Sequence, residues 1–192
     1  MPNLTQPGHS TRVYNNKVVG NNLGNFAAKG AAVASVPAGS GVVINSNDKV
    51  EIFDNDIADN NTANVIISSY FSTGYMSDTG VAKAFDPYPE DIYIYGNRFS
   101  GGGGSPDGMD LKALKVAMYG LNGRLPDVLW DGFVNKARQV DGKLAGPGIC
   151  IQNGTAATLN ADGPNKYGNP SDVSAQLKCD LPKLPAVVLG KA

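Results

Sequence analysis

The segment AFDPYPEDIYIY holds the residues whose types and spacing come closest to a reactive site. It places Asp86, Glu90 and Asp91 close together along the chain, with Tyr88 between them. Paired carboxylates can serve as acid and base in glycoside hydrolysis, and their oxygens can bind Ca²⁺. Asp-Pro and Pro-Glu-Asp sequences are also typical of ordinary solvated turns, which is the simpler interpretation. We therefore treat these four residues as candidates for ligand binding, and we predict neither a catalytic residue nor a metal site.

Three aromatic residues, Tyr14, Phe53 and Tyr95, occupy equivalent positions just before an Asn-containing bend in TRVYNNKV, VEIFDNDI and IYIYGNRF. If the chain bends directly after them, their side chains point outward and form an aromatic stripe. Exposed aromatic rings stack on the apolar faces of sugars, so the stripe is a candidate carbohydrate platform. The alternative is a stripe that the inserted loops cover.

Other reactive residue types indicate no recognisable catalytic site. His9 is the only histidine, and it has no cysteine or serine motif beside it. The GGGGS sequence at 101–105 lacks the lysine of a phosphate-binding loop. The four arginines are dispersed along the chain, so none is singled out as a partner for a uronate carboxylate. The sequence therefore indicates no cofactor and no catalytic signature.

The two cysteines, Cys150 and Cys179, lie far apart near the C-terminus. A zinc or iron–sulfur site is disfavoured, because such sites cluster their ligands at short spacings. A disulfide that closes a C-terminal segment is favoured over two buried free thiols. A disulfide indicates an oxidising compartment, so we expect a periplasmic or extracellular protein.

Three copies of one pattern, at residues 11–18, 50–57 and 92–99, provide the elements that would position these residues. Each copy reads as an alternating strand, a polar bend that contains Asn, and a second strand that opens on an apolar residue. Such copies stack in repeat proteins, so equivalent apolar residues should form buried columns. The two columns expected in the core are Val13, Ile52 and Ile94, and Val18, Ile57 and Phe99.

The Asn residues of the bends, Asn16, Asn55 and Asn97, are expected to form a stacked ladder. Asn tolerates left-handed backbone angles, and its amide can bond both its own bend and the Asn of the next copy. A third strand follows two of the copies, with Val43 and Ile66 at equivalent positions 23 residues apart. That length suits one three-sided coil of a parallel β-helix, at about 3.3 Å per strand residue.

Successive bend Asn residues are 39 and 42 residues apart, more than one coil needs, so inserted loops are expected at 23–40 and 71–91. The later stretch MDLKALKVAMYG has the apolar periodicity of one short amphipathic helix. We interpret residues 1–104 as β-helix coils and residues 105–192 as a continuous C-terminal cap. The fold class predicted is all-β, a right-handed parallel β-helix whose cap contains one short α-helix. Further coils are expected to precede the first strand, which would otherwise present an unpaired edge.

Composition excludes two classes of partner. Sixteen basic residues against 17 acidic ones, with no basic run, leave no electrostatic footprint for nucleic acid. No apolar stretch approaches the length of a transmembrane span. Charged residues make up 17%, while there are 24 glycines and 19 asparagines, a composition typical of turn-rich β structure.

The run from TRVYNNKV through VPAGSGVVI and DPYP to GICIQN resembles the C-terminal portion of bacterial parallel β-helix repeat proteins of the pectin-lyase-like superfamily. The resemblance covers most of residues 8–153. It implies export, and it implies a c-type cytochrome-like protein as a partner. The chain lacks the Asp-Pro-His-Asp motif of alginate epimerases and the Asn-Thr-Asp, Asp-Asp and His-Gly motifs of polygalacturonases. No catalytic residue of those families can therefore be assigned to it.

These observations favour an exported cell-envelope β-helix protein that binds a carbohydrate or a protein partner. The alternative is a polysaccharide lyase, hydrolase or epimerase that acts on an acidic glycan, with a site formed partly by coils outside this chain. A third interpretation, a periplasmic partner of a redox protein, rests on the resemblance alone.

Overall fold

The structure, a computed structural model, describes residues 8–73, 86–141, 143–144 and 148–186. Its described elements are strands joined by turns and loops, with one α-helix among them. In chain order they are β1 (His9–Tyr14), β2 (Lys17–Val19), β3 (Ser40–Asn45), β4 (Asp48–Phe53), β5 (Asp56–Ala58), β6 (Ala63–Ser68), β7 (Glu90–Tyr95), β8 (Arg98–Ser100), α1 (Met109–Tyr119), β9 (Val128–Trp130), β10 (Gln139–Val140), β11 (Lys143–Leu144), β12 (Ile149–Gln152), β13 (Thr158–Asn160) and β14 (Ser171–Asp172).

Most strands lie in three parallel sheets that the chain visits in turn. Sheet A has the order β1-β4-β7-β12, sheet B the order β2-β5-β8, and sheet C the order β3-β6-β9-β13, with β14 antiparallel on β13. We call one pass through the sheets a rung. Three rungs contribute a strand to every sheet, and the fourth contributes β12 to sheet A and β13 to sheet C. The all-β class with parallel sheets is therefore confirmed.

The strand register confirms the sequence alignment of the copies. Ile52 pairs with both Val13 and Ile94 in sheet A, and Val43 pairs with Ile66 in sheet C. The columns predicted for the core are inside: Ile52, Ile57 and Ile94 are fully buried, and the remaining members are partly buried against them. Those remaining members are Val13, Val18 and Phe99.

An Asn ladder lines the bends between sheets A and B. The Nδ2 atom of Asn16 donates to Oδ1 of Asn55 at 3.0 Å, and Asn55 donates in the same way to Asn97 at 2.9 Å. Asn97 in turn donates to Asn153 at 3.0 Å, which adds a fourth member that the repeat did not predict. The left-handed backbone angles fall on the preceding residues, such as Asp54 at φ +53°, and not on the ladder Asn residues themselves.

The C-terminal half differs from the predicted cap. Helix α1 lies between β8 and β9, inside the third rung, and it packs Leu111 and Leu114 against the outer side of sheet C. Strands β12 and β13 then continue sheets A and C, so the parallel stack extends beyond residue 105. The amphipathic pattern identified the helix correctly. It did not locate the helix, because an amphipathic helix can pack beside a sheet as well as across the end of one.

A cap covers the last rung after these strands. Strand β14 pairs with β13, and the carbonyl of Leu177 accepts the amide of Ile151 at 2.7 Å. Leu177 also packs against the main core. The predicted disulfide between Cys150 and Cys179 is present and fastens this segment to β12.

Two inserted loops were expected, at 23–40 and 71–91. The first connects β2 to β3 and contains a 3₁₀ turn at Ala32–Ser35. Of the second, residues 74–85 lie outside the described residues, as do the first seven residues of the chain. Strand β7 begins at Glu90, so Glu90 and Asp91 belong to sheet A and not to the loop expected at 71–91.

Candidate functional site

The aromatic candidates lie on the outward side of sheet A, and the carboxylate candidates lie at or just before the N-terminal ends of its strands. Successive side chains of a strand point to opposite faces. Because Ile52 and Ile94 point into the core, the neighbouring positions of β4 and β7 point away from it. Two outward columns run across the strands, the first of Arg12, Glu51 and Tyr93, the second of Tyr14, Phe53 and Tyr95.

The second column forms a stacked aromatic ladder. The ring centroids of Tyr14 and Phe53 are 5.0 Å apart at an angle of 4°, and those of Phe53 and Tyr95 are 5.0 Å apart at 0°. Tyr14 is 50% exposed, and the other two rings are half-buried. The stripe therefore lies outside the core as the bend position predicted, with its first ring open to solvent.

The orientation of the rings limits what this aromatic ladder can bind. Because the rings are parallel, both faces of Phe53 are covered by its neighbours. The Nζ atom of Lys183 lies 4.7 Å from the centroid of Tyr95, so the far side of that ring is occupied as well. Sugars stack on ring faces rather than ring edges. The outer face of Tyr14 is thus the position in the ladder best suited to stack on a sugar.

The carboxylates form a cluster at the opposite end of the same strands. Asp48 pairs in register with Glu90, and Asp86 in the turn before β7 completes the group. Oxygen atoms of these three side chains all lie within 4.8 Å of one another. We call these three residues the acidic cluster. All three are half-buried, and they are held together by the fold rather than freely solvated.

Asp48 was not among the residues predicted for the site. The signal was available, because extending the alignment of the second and third copies by two residues places Asp48 opposite Glu90. The same register places His9 opposite Asp48 on β1. The ring of His9 is exposed, and its Nδ1 atom lies 3.0 Å from Oγ of Ser10.

Burial and neighbouring charges change the acidity of Asp48. Burial first, and then the carboxylates of Asp86 and Glu90, together raise the pKa of Asp48 to about 7. The amide of Glu90 donates to Oδ1 of Asp48 at 3.1 Å and partly opposes the shift. Burial followed by the charges of Asp86 and Glu90 also raises the pKa of the Tyr88 hydroxyl.

Arg138 forms ion pairs with the two acidic residues at the start of β7. Its guanidinium lies 2.8 Å from a carboxylate oxygen of Glu90 and 3.3 Å from one of Asp91. Asp91 is thereby drawn into an ion pair, although it was predicted as a member of the same acidic group. Sequence spacing could not single out this arginine, since Arg138 is 48 residues from Glu90 along the chain.

The loop that carries Asp86 is fixed by backbone contacts. The carbonyl of Pro87 accepts the amide of Tyr70 at 2.9 Å and the hydroxyl of Ser46 at 2.7 Å. The ring of Tyr88 lies 5.5 Å from that of Phe71, centroid to centroid. A carboxyl group with a raised pKa beside other carboxyl groups is an arrangement that can supply an acid and a base, and the same oxygens could also hold a divalent cation.

An extended segment of the chain lies across the first outward column. We call residues 180–186 the C-terminal strap; they form no helix or strand. The hydroxyl of Tyr93 donates to Oδ1 of Asp180 at 2.8 Å, and the amide of Leu184 donates to Glu51 at 3.0 Å. Arg12 donates to the strap carbonyls and pairs with Glu51 at 2.7 Å. No repeat or motif of the sequence predicts the position of this segment.

A separate cavity of about 180 Å³ lies on the outer side of sheet C, beside α1. Asp131 on its wall is buried, and its carboxylate accepts hydrogen bonds from Ser69, Ser72 and the amide of Phe133. Burial raises the pKa of Asp131 against these hydrogen bonds. With its acceptors occupied, this carboxylate fixes the turn after β6 and offers little to a ligand.

Searches for similar proteins matched no family model, no curated protein and no solved structure. Within the described ranges, no helix is long and apolar enough to cross a membrane.

Proposed function

We propose that this chain is part of an exported right-handed parallel β-helix protein that binds a carbohydrate on the outward side of sheet A. The half-exposed ring of Tyr14 at the open end of the aromatic ladder carries this proposal. Its free face can stack on a sugar ring, and the acidic cluster at the other end of the strands can accept hydrogen bonds from sugar hydroxyls.

The fold and the disulfide support this proposal. Parallel strands joined by crossovers within one sheet are right-handed in nearly all proteins, and three sheets visited in turn suit a β-helix. The Cys150–Cys179 disulfide is of a kind that persists in oxidising compartments such as the periplasm. A c-type cytochrome-like partner rests on the sequence resemblance alone, and a protein partner remains the second possibility for this surface.

Affinity electrophoresis in gels that contain neutral or acidic polysaccharides tests the carbohydrate proposal. We expect retardation by at least one glycan, and Tyr14→Ala should weaken it by about three- to tenfold, as loss of one stacking contact implies. Tyr167→Ala is the matched control, because Tyr167 is 53% exposed and lies outside sheet A. Equal retardation of the two variants, or no retardation by any glycan, would contradict the proposal.

A polysaccharide lyase, hydrolase or epimerase is the second candidate, and the acidic cluster favours it. Asp48, with a pKa of about 7, can hold a proton at neutral pH while the neighbouring Glu90 is paired with Arg138. Glycoside cleavage requires one carboxyl group to act as an acid and a second, nearby carboxyl group to act as a base.

This second candidate predicts new reducing ends, or an unsaturated uronate chromophore, when the protein is incubated with acidic glycans. Asp48→Asn and Glu90→Gln should each abolish the reaction. Asp56→Asn is the control, because Asp56 forms an exposed ion pair with Arg98 in sheet B. Product formation that survives replacement of both cluster residues would remove them from any mechanism.

A further inference from the structure

The first outward column of sheet A contacts the backbone of the C-terminal strap. Arg12 donates to the carbonyl oxygens of Leu184 and Pro185, and Glu51 accepts the amide of Leu184. Every peptide presents these groups, so the contacts depend on an extended chain rather than on particular side chains. Tyr93 adds a contact with a side chain, a hydrogen bond from its hydroxyl to the carboxylate of Asp180.

Glu51 contacts both the sheet and the strap. It is 3% exposed, and its two oxygens are divided between Arg12 at 2.7 Å and the amide of Leu184 at 3.0 Å. Glu51 lies on the outward face of sheet A, so the strap itself provides this burial, and water would replace the Leu184 amide if the strap left. A peptide that supplies an N–H at this position restores the second contact.

A cleft that is open to solvent lies where the strap meets the sheet. Its volume is about 400 Å³, and Lys49, Glu51, Asp91 and Tyr93 line it on the sheet side. Polar contacts hold the strap, and these can be exchanged for contacts with another chain.

The disulfide fixes one end of the strap beside the column. Cys150 on β12 pairs in register with Tyr93, so it continues the row of outward residues. Its bond to Cys179 fixes the residue directly before Asp180. Leu177 and β14 also hold this segment, and the bond raises the local concentration of the strap over its site further.

We propose that Arg12, Glu51 and Tyr93 form a binding site for an extended peptide with an acidic residue near its N-terminal end, and that the chain's own strap occupies this site until the Cys150–Cys179 disulfide is reduced. A dithiol donor would supply two electrons and two protons. The S–S bond breaks, thiols form on Cys150 and Cys179, and the donor becomes a disulfide. This site goes beyond the carbohydrate proposal, because it takes a different class of ligand through different residues.

Fluorescence anisotropy with a labelled DLPKLPA peptide, the sequence of residues 180–186, tests the proposal. The oxidised protein should not bind the peptide measurably, whereas the Cys150→Ser/Cys179→Ser variant should bind it. Arg12→Ala in that variant should weaken binding at least tenfold. Arg98→Ala is the matched control, because Arg98 is an exposed arginine of sheet B, and it should leave binding unchanged. Equal binding by the oxidised protein and the variant, or indifference to Arg12→Ala, would overturn the proposal.

A second measurement keeps the disulfide in place, in case the double variant does not fold. In the oxidised protein, Arg12→Ala should loosen the strap, so trypsin should cut the Lys183–Leu184 bond several-fold faster, as followed by mass spectrometry. The Leu184 amide should exchange its hydrogen faster as well. Unchanged cleavage and exchange, relative to the Arg98→Ala control, would show that this column does not hold the strap. Neither readout depends on glycan binding.

Discussion

Asp48 shows how the fold can create a reactive group from an ordinary residue type. Nothing in the local sequence distinguishes this aspartate from the other acids of the chain. Strand pairing with Glu90 and the approach of Asp86 bring three carboxylates together in a half-buried place. A carboxylate is less favourable there than in water, so the fold favours the protonated form of Asp48.

We expect Asp48 to give the stability of the protein a characteristic dependence on pH. Its pKa of about 7 in the folded chain lies above the value of 3.8 expected after unfolding. Between these values the folded state holds a proton that the unfolded state has released, so the free energy of unfolding falls as the pH rises from about 4 to about 7. Solvent screening at this half-exposed site reduces the effect to about 1–2 kcal/mol.

Urea unfolding at pH 4.5 and pH 7.5 measures this effect. The decrease in unfolding free energy between the two pH values should be smaller in Asp48→Asn than in the parent protein. Asp110→Asn, at an exposed position in the first turn of α1, should behave as the parent does. The idea fails if Asp48→Asn retains the full decrease.

At the scale of elements, the Asn ladder joins successive rungs where sheet A turns into sheet B. The amides of Asn16, Asn55 and Asn97 each bond their own bend and the Asn of the next rung, so a single side chain satisfies groups on two rungs. Buried polar groups that are fully paired fix a register strongly, because any slip leaves them unpaired. The ladder therefore helps to set which residues face inward along all four rungs.

We expect Asn55→Ala to lower the free energy of unfolding by about 3 kcal/mol or more, because several buried backbone and amide groups lose their partners at once. Asn55 is buried, and it donates to the carbonyls of Val13 and Phe53 as well as to Asn97. Asn16→Ala, at the exposed end of the same ladder, should cost about 1 kcal/mol. Denaturant unfolding of both variants measures the difference. Equal decreases in the free energy of unfolding would show that the buried Asn55 contributes no more to stability than the exposed Asn16.

The repeated elements were predictable from the sequence, and the long-range contacts were not. Ile52, Ile57 and Asn55 recur in aligned copies, so their columns could be read directly and are confirmed. The helix was expected in a C-terminal cap, whereas α1 lies between β8 and β9, because amphipathicity indicates a buried face but not which surface covers it. Arg138 and the strap reach the site from distant parts of the chain that carry no repeat.

On the scale of the whole molecule, the disulfide fastens the C-terminal segment to the last strand of sheet A. It closes a loop between residues 29 positions apart. In the chain-entropy model, a loop of this length contributes about 3–4 kcal/mol by restricting the unfolded chain. Leu177 and β14 already hold part of the segment, so the bond acts together with packing.

Reduction should therefore lower the free energy of unfolding by about 2–4 kcal/mol. Urea unfolding with and without a phosphine reductant measures this change. Cys150→Ala/Cys179→Ala serves as the control, because its unfolding midpoint should be low and should not respond to the reductant. A midpoint in the parent protein that is equally unresponsive would show that the bond adds nothing to the stability of the fold.

The pairing of the rungs also determines how the chain must acquire its fold. In sheet A, Val13 pairs with Ile52, Ile52 with Ile94, and Ile94 with Ile151, separations of 39, 42 and 57 residues. Contacts so distant in sequence require large loops to close before any strand gains a partner, and proteins dominated by them refold in milliseconds to seconds or more slowly. Each completed rung then offers its edge as a template to the next, so refolding should advance along the stack as a front.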